Sequence, residues 1–490
     1  MSDLGDRIRS GVGWKVLSQV VWQLSRMVVA LVLARLLAPS DWGLAAMVLI
    51  VSGLVVVFTD GALFDALIQR RDLNDDDCST VFWTSACVGL LLTLGGVAFA
   101  GLLADFYNEP RVEPLFAVLS VTFLLNSLKS TQSALMTREM RFRTLELCWI
   151  AAAVLGASVG VALALADYGA WAIVGQTVAE SMVFALLIWF ASPWRPSFVF
   201  SVASLRRLGG FAGNVFGENL LYQAGRNLSG LLIGKYLGAA SVGVYALAMN
   251  VILVPFSRLA APLQQVFFPA FSQLSEQRER MADIWIRASR LVGLVSVPAL
   301  VGLAIVAPDF VDVVLGSRWS EATPVIQILA VVGLVQSLQT LSGEVLLALG
   351  LANWLFRFMI VWFVASLVSF AVGVQWGIIG VAASYAIATI LIEPIRTYMA
   401  ARALQISVWR FVRAFSGIFQ AAAVMGAVLI ATRSLMVQAD IPSGARLVLS
   451  IVIGAATYGV ACIWRARDVG SEIATVVRRR RPSLEPVIEQ

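Results

Sequence analysis

The chain has no histidine among its 490 residues and only four cysteines. Histidine is the commonest metal ligand and the commonest general base, so its absence removes the usual metal site, catalytic base and proton relay. The cysteines show no metal-binding or redox spacing, which favours small buried side chains. They are Cys78, Cys87, Cys148 and Cys462. We therefore expect neither a cofactor nor a bound metal.

Charge is also scarce: charged residues make up 13% of the chain, against 59% hydrophobic residues and a mean hydropathy of +0.84. This balance excludes a water-soluble protein. Unbroken apolar runs of about 20 residues predict transmembrane helices rather than the alternating strands of a barrel. We predict an all-α polytopic membrane protein. Its fourteen spans begin near Gly11, Trp42, Thr80, Pro114, Leu145, Ala170, Leu208, Gly243, Ile286, Pro324, Trp354, Gly377, Phe411 and Arg446.

The positions of the 36 basic residues test this count. With the N-terminus in the cytoplasm, most of them fall on cytoplasmic segments, as the positive-inside rule requires, and a shift by one span destroys the pattern. We therefore predict a multi-pass protein with both termini in the cytoplasm. The basic run Arg478–Arg481 is interpreted as an orientation signal resting on anionic membrane lipid, not as a nucleic-acid site.

Two segments, 7–50 and 207–250, align without a gap at a shift of 200 positions. Only 8 of the 44 pairs are identical, but Arg26 falls on Arg226 inside an apolar helix, and glutamine falls on glutamine three residues earlier. A charge at mid-membrane depth costs roughly 2.5–3.5 kcal/mol, so a lipid-facing helix would not repeat one. Because six spans return the chain to its starting side, we predict that spans 1–6 and 7–12 are parallel repeats.

The predicted organisation has five parts. Two six-helix lobes are joined by an interfacial cytoplasmic linker, whose apolar run is too short to span a membrane. Two additional spans and a basic cytoplasmic tail follow. In order, the parts are residues 1–192, 193–207, 208–405, 406–466 and 467–490.

Each repeat carries a polar stripe on one face of its first helix. In span 1 the polar positions follow a 4, 4, 3 spacing, which at about 100° per residue places them within an arc of roughly 80°. Such groups can simply hold helices together by ion pairs and amide hydrogen bonds. The two stripes together favour an aqueous cavity between the repeats, where arginine would bind phosphate and amides would bond sugar hydroxyls.

The candidate site residues fall into three groups. The cationic group, expected to bind an anionic substrate, is Arg26, Arg226, Lys15, Arg258 and Lys129. The polar and aromatic group is Gln19, Gln23, Trp22, Asn219, Tyr222 and Gln223. Acids that could couple transport to an ion, because protonation changes the charge of the cavity, are Glu218, Glu344 and Glu393.

The sequence shows no enzymatic motif. It has no phosphate-binding glycine loop, no nucleophile elbow and no paired acids on an outer loop. The acidic run Asp75–Asp77 lies close to Arg70 and Arg71 on a cytoplasmic connection, which is typical of a solvated surface rather than a metal site. We predict a transporter and not an enzyme.

Short motifs at the helix junctions resemble those of a known family. They are Ala34–Gly43, Leu232–Gly238, Val242–Ala248, Pro269–Leu274 and Leu315–Trp319. On these motifs the chain resembles the polysaccharide flippases of Wzx type, within the multidrug/oligosaccharidyl-lipid/polysaccharide exporter superfamily. The resemblance is strongest to the branch for colanic or teichuronic acid-like repeat units.

The resemblance implies fourteen helices in two six-helix lobes. It also implies movement of an undecaprenyl-diphosphate-linked oligosaccharide to the outer leaflet of a bacterial inner membrane, alongside a polysaccharide polymerase and a chain-length regulator. Cationic residues line the cavity in this family, and they carry over to Arg26 and Arg226. Family members often have an acidic residue near the position of Ser229. Because this chain has a serine there, the resemblance implies no ion-coupling role at that position.

Two other functions are compatible with a polytopic helical protein. A MATE-like drug or cation antiporter would share the fold but prefers an acidic cavity, whereas the repeated intramembrane charges here are basic. A polytopic polysaccharide polymerase or glycosyltransferase needs a long outer loop or a catalytic acid pair. The longest predicted outer connection is only about 15 residues, which is too short for an independent domain.

Overall fold

A computed structural model describes residues 27–60, 67 and 73–465. Within its helices, side chains are described except at 57–60, 203, 205–222, 224, 226, 253–262, 265 and 465. Throughout these ranges the regular secondary structure is helical, since a helix satisfies its backbone hydrogen bonds internally in a bilayer. In this part of the chain eleven helical stretches are long and apolar enough to span a membrane. The predicted all-α membrane class is confirmed.

The described residues before the linker form six helices. They are α1 (Met27–Leu36), α2 (Pro39–Asp60), α3 (Asp75–Tyr107), α4 (Val112–Arg138), α5 (Phe142–Leu165) and α6 (Trp171–Ala191). At the start of α3 the Asp77 backbone N–H donates to the Asn74 side chain at 2.7 Å, forming a capping box. The acidic run Asp75–Asp77 is therefore the first turn of a helix, where negative charge is favourable, rather than a loop.

After the linker, one very long helix precedes several of ordinary length. The helices are α7 (Val202–Gln273), α8 (Arg278–Phe310), α9 (Ala322–Leu338), α10 (Ser342–Ala348), α11 (Ala352–Gly373), α12 (Gly377–Ala403), α13 (Val408–Ala414), α14 (Ser416–Gln438) and α15 (Ser443–Arg465). Gly238 interrupts α7, with φ 79° and ψ −179°, a conformation that favours glycine. The number of spans, fourteen, stays a prediction.

The chain divides into two compact units. Unit one contains Met1–Leu247 and Phe370–Val381, and unit two contains Ala248–Ser369 and Ala382–Gln490. The predicted lobe, linker and tail boundaries stay predictions.

Small residues set the packing of α3 against α4 in unit one. A methyl group on Gly89 would overlap the Ser127 side chain, and one on Gly96 would overlap Ser120. Between these two contacts the Thr93 hydroxyl donates to the Ser120 carbonyl oxygen at 2.9 Å. Close backbone approach through small residues is how membrane helices pack tightly without a hydrophobic driving force between them.

The linker lies along the start of α3 in unit one. The Trp83 indole N–H donates to the Ser197 carbonyl oxygen at 2.9 Å, and its ring stacks on Phe198 at 5.3 Å. Phe198 is itself 95% exposed, as an apolar side chain at a membrane interface would be. Because α7 begins at Val202, the last six residues of the predicted linker, 202–207, are helical.

The two segments that align at a shift of 200 positions share a helix break at equivalent positions. α1 ends at Leu36 and α2 begins at Pro39, and the break at Gly238 in α7 lies 200 positions further on. Burial also follows one pattern: residues 41–49 and residues 241–249 are buried or half-buried at the same nine positions. The two segments therefore occupy equivalent packing environments.

An aromatic stack and a buried carboxylate organise unit two. The Trp285 ring of α8 stacks on Phe411 of α13 with centroids 4.5 Å apart. At the other end of α8, Asp309 is only 1% exposed and binds Arg433 of α14 at 2.6 Å and Arg446 of α15 at 2.8 Å. Both additional C-terminal helices are thereby attached to α8.

Candidate functional site

Many of the predicted site residues fall where the structure gives no side chain. Five of them, all on span 1, lie outside the described residues: Lys15, Gln19, Trp22, Gln23 and Arg26. Five others lie on α7, but their side chains are outside the described part: Glu218, Asn219, Tyr222, Arg226 and Arg258. The structure thus describes the side chains of Gln223, Lys129, Glu344 and Glu393.

Gln223 shows which way the polar stripe of α7 faces. Its side-chain amide donates to the Gly53 carbonyl oxygen of α2 at 3.3 Å. The amide of Asn227, one turn further along α7, lies 3.6 Å from the place where Gly53 would carry a side chain. Gly53 therefore forms a notch on α2 that receives both amides. At Gln223 the stripe therefore faces protein rather than lipid, and the neighbouring Asn227 faces the same way, as the cost of a polar group in hydrocarbon requires.

Lys129 lies on α4 and faces an aromatic ring of α6. Its ammonium nitrogen is 4.6 Å from the centroid of the Phe184 ring, a distance typical of a cation–π contact. One turn further along α6, the Trp189 indole N–H donates to the Leu128 carbonyl oxygen at 3.0 Å. The ring and the indole hold the two helices together around a half-buried cation.

In unit two the most buried predicted acid has a cationic partner. Glu393 is 4% exposed, and its carboxylate lies 2.8 Å from the Arg396 guanidinium one turn along α12. Arg396 in turn lies 5.7 Å from the centroid of the Phe358 ring of α11. Glu344 on α10 is half-buried, and among the described residues no ion pair to it occurs within 4 Å.

Amide and hydroxyl groups form hydrogen bonds elsewhere along the same helix, α12. The side chain of Gln339, the residue that follows α9, accepts a hydrogen bond from the Thr397 hydroxyl of α12. One turn earlier, the Gln336 amide donates to the Tyr385 hydroxyl at 3.1 Å. Sequence reasoning did not select these four residues as site candidates, although Gln336 and Gln339 are amides one turn apart in an apolar helix. The spacing of these two amides is the sequence feature that could have identified them as candidates.

The α4–α6 pair of unit one has a counterpart in the α9–α12 pair of unit two. Shifting the first helix of the pair by 210 positions brings Lys129 onto Gln339, and shifting the second by 208 brings Trp189 onto Thr397. The contacts on the two helix pairs differ: Lys129 lies against the Phe184 ring and Trp189 donates to the Leu128 carbonyl oxygen, whereas Gln339 accepts from the Thr397 hydroxyl. Unit one presents a cation on this helix pair, whereas unit two presents an amide beside an ion pair.

Within the described ranges no group of three or more potential ligand residues could hold a metal ion. The intramembrane polar groups there are cations, amides, hydroxyls and carboxylates. Such groups bind anionic and hydroxylated molecules by charge-assisted and neutral hydrogen bonds.

Comparison with known proteins gives a consistent result. A family described as polysaccharide biosynthesis protein matches residues 32–324, more than half of the chain. The lipopolysaccharide biosynthesis protein WzxC of Escherichia coli (strain K12) is 28% identical over 357 residues, covering 72% of this chain and 73% of that protein. The teichuronic acid biosynthesis protein TuaB of Bacillus subtilis (strain 168) is 26% identical over 466 residues, covering 94% and 95%.

Among solved structures, the lipid II flippase MurJ in an inward closed conformation shares the fold. The TM-score is 0.75 at 14% identity, and the superposition covers 93% of this chain and 99% of MurJ. At this identity the likeness concerns the fold alone. The arrangement of helices is thus similar along nearly the whole length of both chains.

Proposed function

The chain belongs to the polysaccharide biosynthesis protein family, and on that premise we propose that it is a flippase for undecaprenyl-diphosphate-linked oligosaccharides. It would carry repeat units across the inner membrane for an exopolysaccharide, O-antigen or capsule-type polymer. The relatives named for lipopolysaccharide and teichuronic acid biosynthesis support this substrate class, and the fold shared with a lipid II flippase supports this mode of action. A polysaccharide polymerase and a chain-length regulator would act on the delivered units.

The proposed topology has fourteen spans in two six-helix lobes, residues 1–192 and 208–405. The linker 193–207 joins them, and the spans of 406–466 and the tail 467–490 follow. The helix break at Gly238 supports counting α7 as two spans. Similarly, α11 and α12 have 22 and 27 residues, and about 20 residues suffice for one crossing. Both termini would lie in the cytoplasm, as the positions of the basic residues favour.

We propose that the sugar-diphosphate headgroup is held by the cations of the two polar stripes, while the polyprenyl tail stays in lipid. The observation that carries this proposal is the contact of Gln223 and Asn227 with the notch at Gly53. This contact turns the side chains of Gln223 and Asn227 toward protein, on the helix that also carries Arg226. Guanidinium groups bind phosphate oxygens in a planar fork, and amides bond sugar hydroxyls.

The remaining candidates of each group would assist at this headgroup site. The cations are Lys15, Arg258 and Lys129, and the polar and aromatic side chains are Gln19, Gln23, Trp22, Asn219 and Tyr222. Of the acids Glu218, Glu344 and Glu393, we favour Glu344 for ion coupling. Glu393 already has a cationic partner at 2.8 Å, whereas no described residue forms an ion pair with the half-buried Glu344. A carboxylate in that setting changes the local charge when it binds a proton.

Charge removal tests the headgroup site. Arg26→Gln and Arg226→Gln should each lower polymer export about tenfold or more in cells that lack their own flippase. A hydrogen bond to a charged group contributes about 1.5–3 kcal/mol, and 1.4 kcal/mol corresponds to about tenfold. Arg26→Lys and Arg226→Lys should retain part of the export because they keep the charge.

The matched control is Arg318→Gln, which removes a cation from an exposed connection outside the candidate spans. Export should stay at the level of the unmodified protein in this variant. Full export by the doubly substituted protein at an equal membrane level would contradict the headgroup site.

A further inference from the structure

Gly43 and Gly243 are equivalent positions of the two repeats, and they touch each other within unit one. The backbone nitrogen of Gly243 lies 3.0 Å from the place where Gly43 would carry a Cβ atom. In return, the backbone nitrogen of Gly43 lies 3.0 Å from the Cβ position of Gly243. Both glycines are buried.

The neighbouring contacts are reciprocal as well. A methyl group on Gly43 would overlap the Ala239 carbonyl oxygen, and one on Gly243 would overlap the Pro39 carbonyl oxygen. Pro39 and Ala239 are themselves 200 positions apart. When residue i contacts j' and j contacts i' in this way, a two-fold axis relates the two segments. A local pseudo-two-fold axis therefore passes between the two glycines.

The Gly43–Gly243 crossing, where the two backbones meet, lies at the start of two helices. Gly43 is in the first turns of α2, which begins at Pro39, and Gly243 follows the break at Gly238. In the proposed topology this is the side of the membrane opposite the arginine-rich connections, the outer side. Backbones approach this closely only where side chains are absent.

Next to the crossing, the contact of α7 with α2 and α3 also depends on small residues. Further into α7, a methyl group on Gly230 would overlap Ile50, and one on Gly234 would meet Tyr107 and Met47 of unit one. The crossing is thus the outer end of a continuous close contact between α2 and α7.

We propose that the Gly43–Gly243 crossing is the outer gate of the transporter. Contact between the two glycines closes the outer side, and the two helix starts must part each time a headgroup leaves. The positions carry no side chain because any Cβ atom would hold the segments apart and prevent closure. This inference rests on the flippase function proposed above.

Adding bulk is the first test. Gly43→Leu and Gly243→Leu should lose export, because the outer side cannot close in either variant. The matched control is Gly95→Leu on α3, since a Cβ atom at Gly95 has no neighbour within 4 Å. Export by both gate variants at the level of the control would overturn the proposal.

A reversible tether, formed after folding, separates a gating defect from a folding defect. In a chain without its four native cysteines, Ser40→Cys and Ala240→Cys are joined by a thiol-cleavable bis-methanethiosulfonate linker. This tether bridges the two repeats one turn before the crossing. It should stop export, and reduction should restore it.

The control tether joins Ser40→Cys to Tyr168→Cys. The Asp41 carboxylate lies beside Gly169, with Oδ1 2.9 Å from the place of a Cβ atom there, so this tether stays within the first repeat. It should leave export unchanged. Unchanged export with the first tether, or failure of its cysteines to cross-link, would overturn the gate. Absence of export by the untethered, unmodified protein would instead refute the proposed function.

Discussion

Asp309 offers the sharpest stability test in this protein. Its carboxylate is buried at the end of α8 and accepts hydrogen bonds from the Nε atoms of Arg433 at 2.6 Å and Arg446 at 2.9 Å. The perturbation is Asp309→Asn, which keeps the size of the side chain and removes its charge. Both guanidinium groups then lose the carboxylate that they share.

The magnitude follows from burial. Removing one partner of a fully buried ion pair costs about 3–5 kcal/mol, because the remaining charge is left uncompensated. The arginine side chains are 25% and 21% exposed, so water recovers part of the loss, and we expect about 2–3 kcal/mol. By the scaling for domains of 150–250 residues, this corresponds to a fall of roughly 5–10 °C in the unfolding midpoint.

The assay is thermal unfolding in detergent, followed by tryptophan fluorescence. Asp312→Asn is the matched control, because Asp312 is exposed and lies only three residues further on. A double-mutant cycle with Arg433→Gln should return a favourable coupling energy between the two side chains. If Asp309→Asn lowers the midpoint no more than Asp312→Asn does, the attachment of α14 and α15 through this carboxylate is refuted.

Two further predictions concern ion pairs. Arg396→Gln leaves the Glu393 carboxylate buried without its partner. This variant should therefore unfold in detergent at a lower temperature than the double variant Glu393→Gln/Arg396→Gln. The reverse order of unfolding temperatures would contradict the pairing. Outside the spans, two hydrogen bonds from Arg111 at 2.8 and 3.0 Å lower the pKa of Glu109. A pKa lowered by folding stabilises the protein above the ordinary carboxyl pKa and loses that effect as pH falls. At neutral pH the Arg111→Gln variant should therefore be less stable than the unmodified protein, by less than about 1 kcal/mol because the pair is exposed. In strong acid the two proteins should be equally stable. A difference in stability that persists in acid would contradict this prediction.

Helices and family were readable from the sequence for physical reasons. An apolar run of about 20 residues in a bilayer can satisfy its backbone only as a helix, so the helical class follows from composition and run length. The junction motifs Ala34–Gly43 and Leu232–Gly238 fall on real helix breaks. The family predicted from these motifs is confirmed.

The contacts between helices were not readable. The pairs Gln336–Tyr385 and Gln339–Thr397 join residues 49 and 58 positions apart on different helices, and no local period marks such partners. Aligning Gly43 with Gly243 identified equivalent positions but did not show that they touch. The sequence marked Gln223 as a polar position in an apolar helix, whereas its partner, the Gly53 carbonyl of α2, depends on how α7 packs.

The central claim, movement of a lipid-linked oligosaccharide across the membrane, has one direct test. The purified full chain is reconstituted into vesicles that contain an undecaprenyl-diphosphate-linked oligosaccharide in both leaflets, and a membrane-impermeant glycosidase is added outside. Protein-free vesicles should expose only their outer-leaflet pool. Vesicles with the protein should expose the inner-leaflet pool as well, and the Arg26→Gln/Arg226→Gln variant should not. Digestion that stops at the outer-leaflet pool, with folded protein present and the proposed substrate class supplied, would contradict the account.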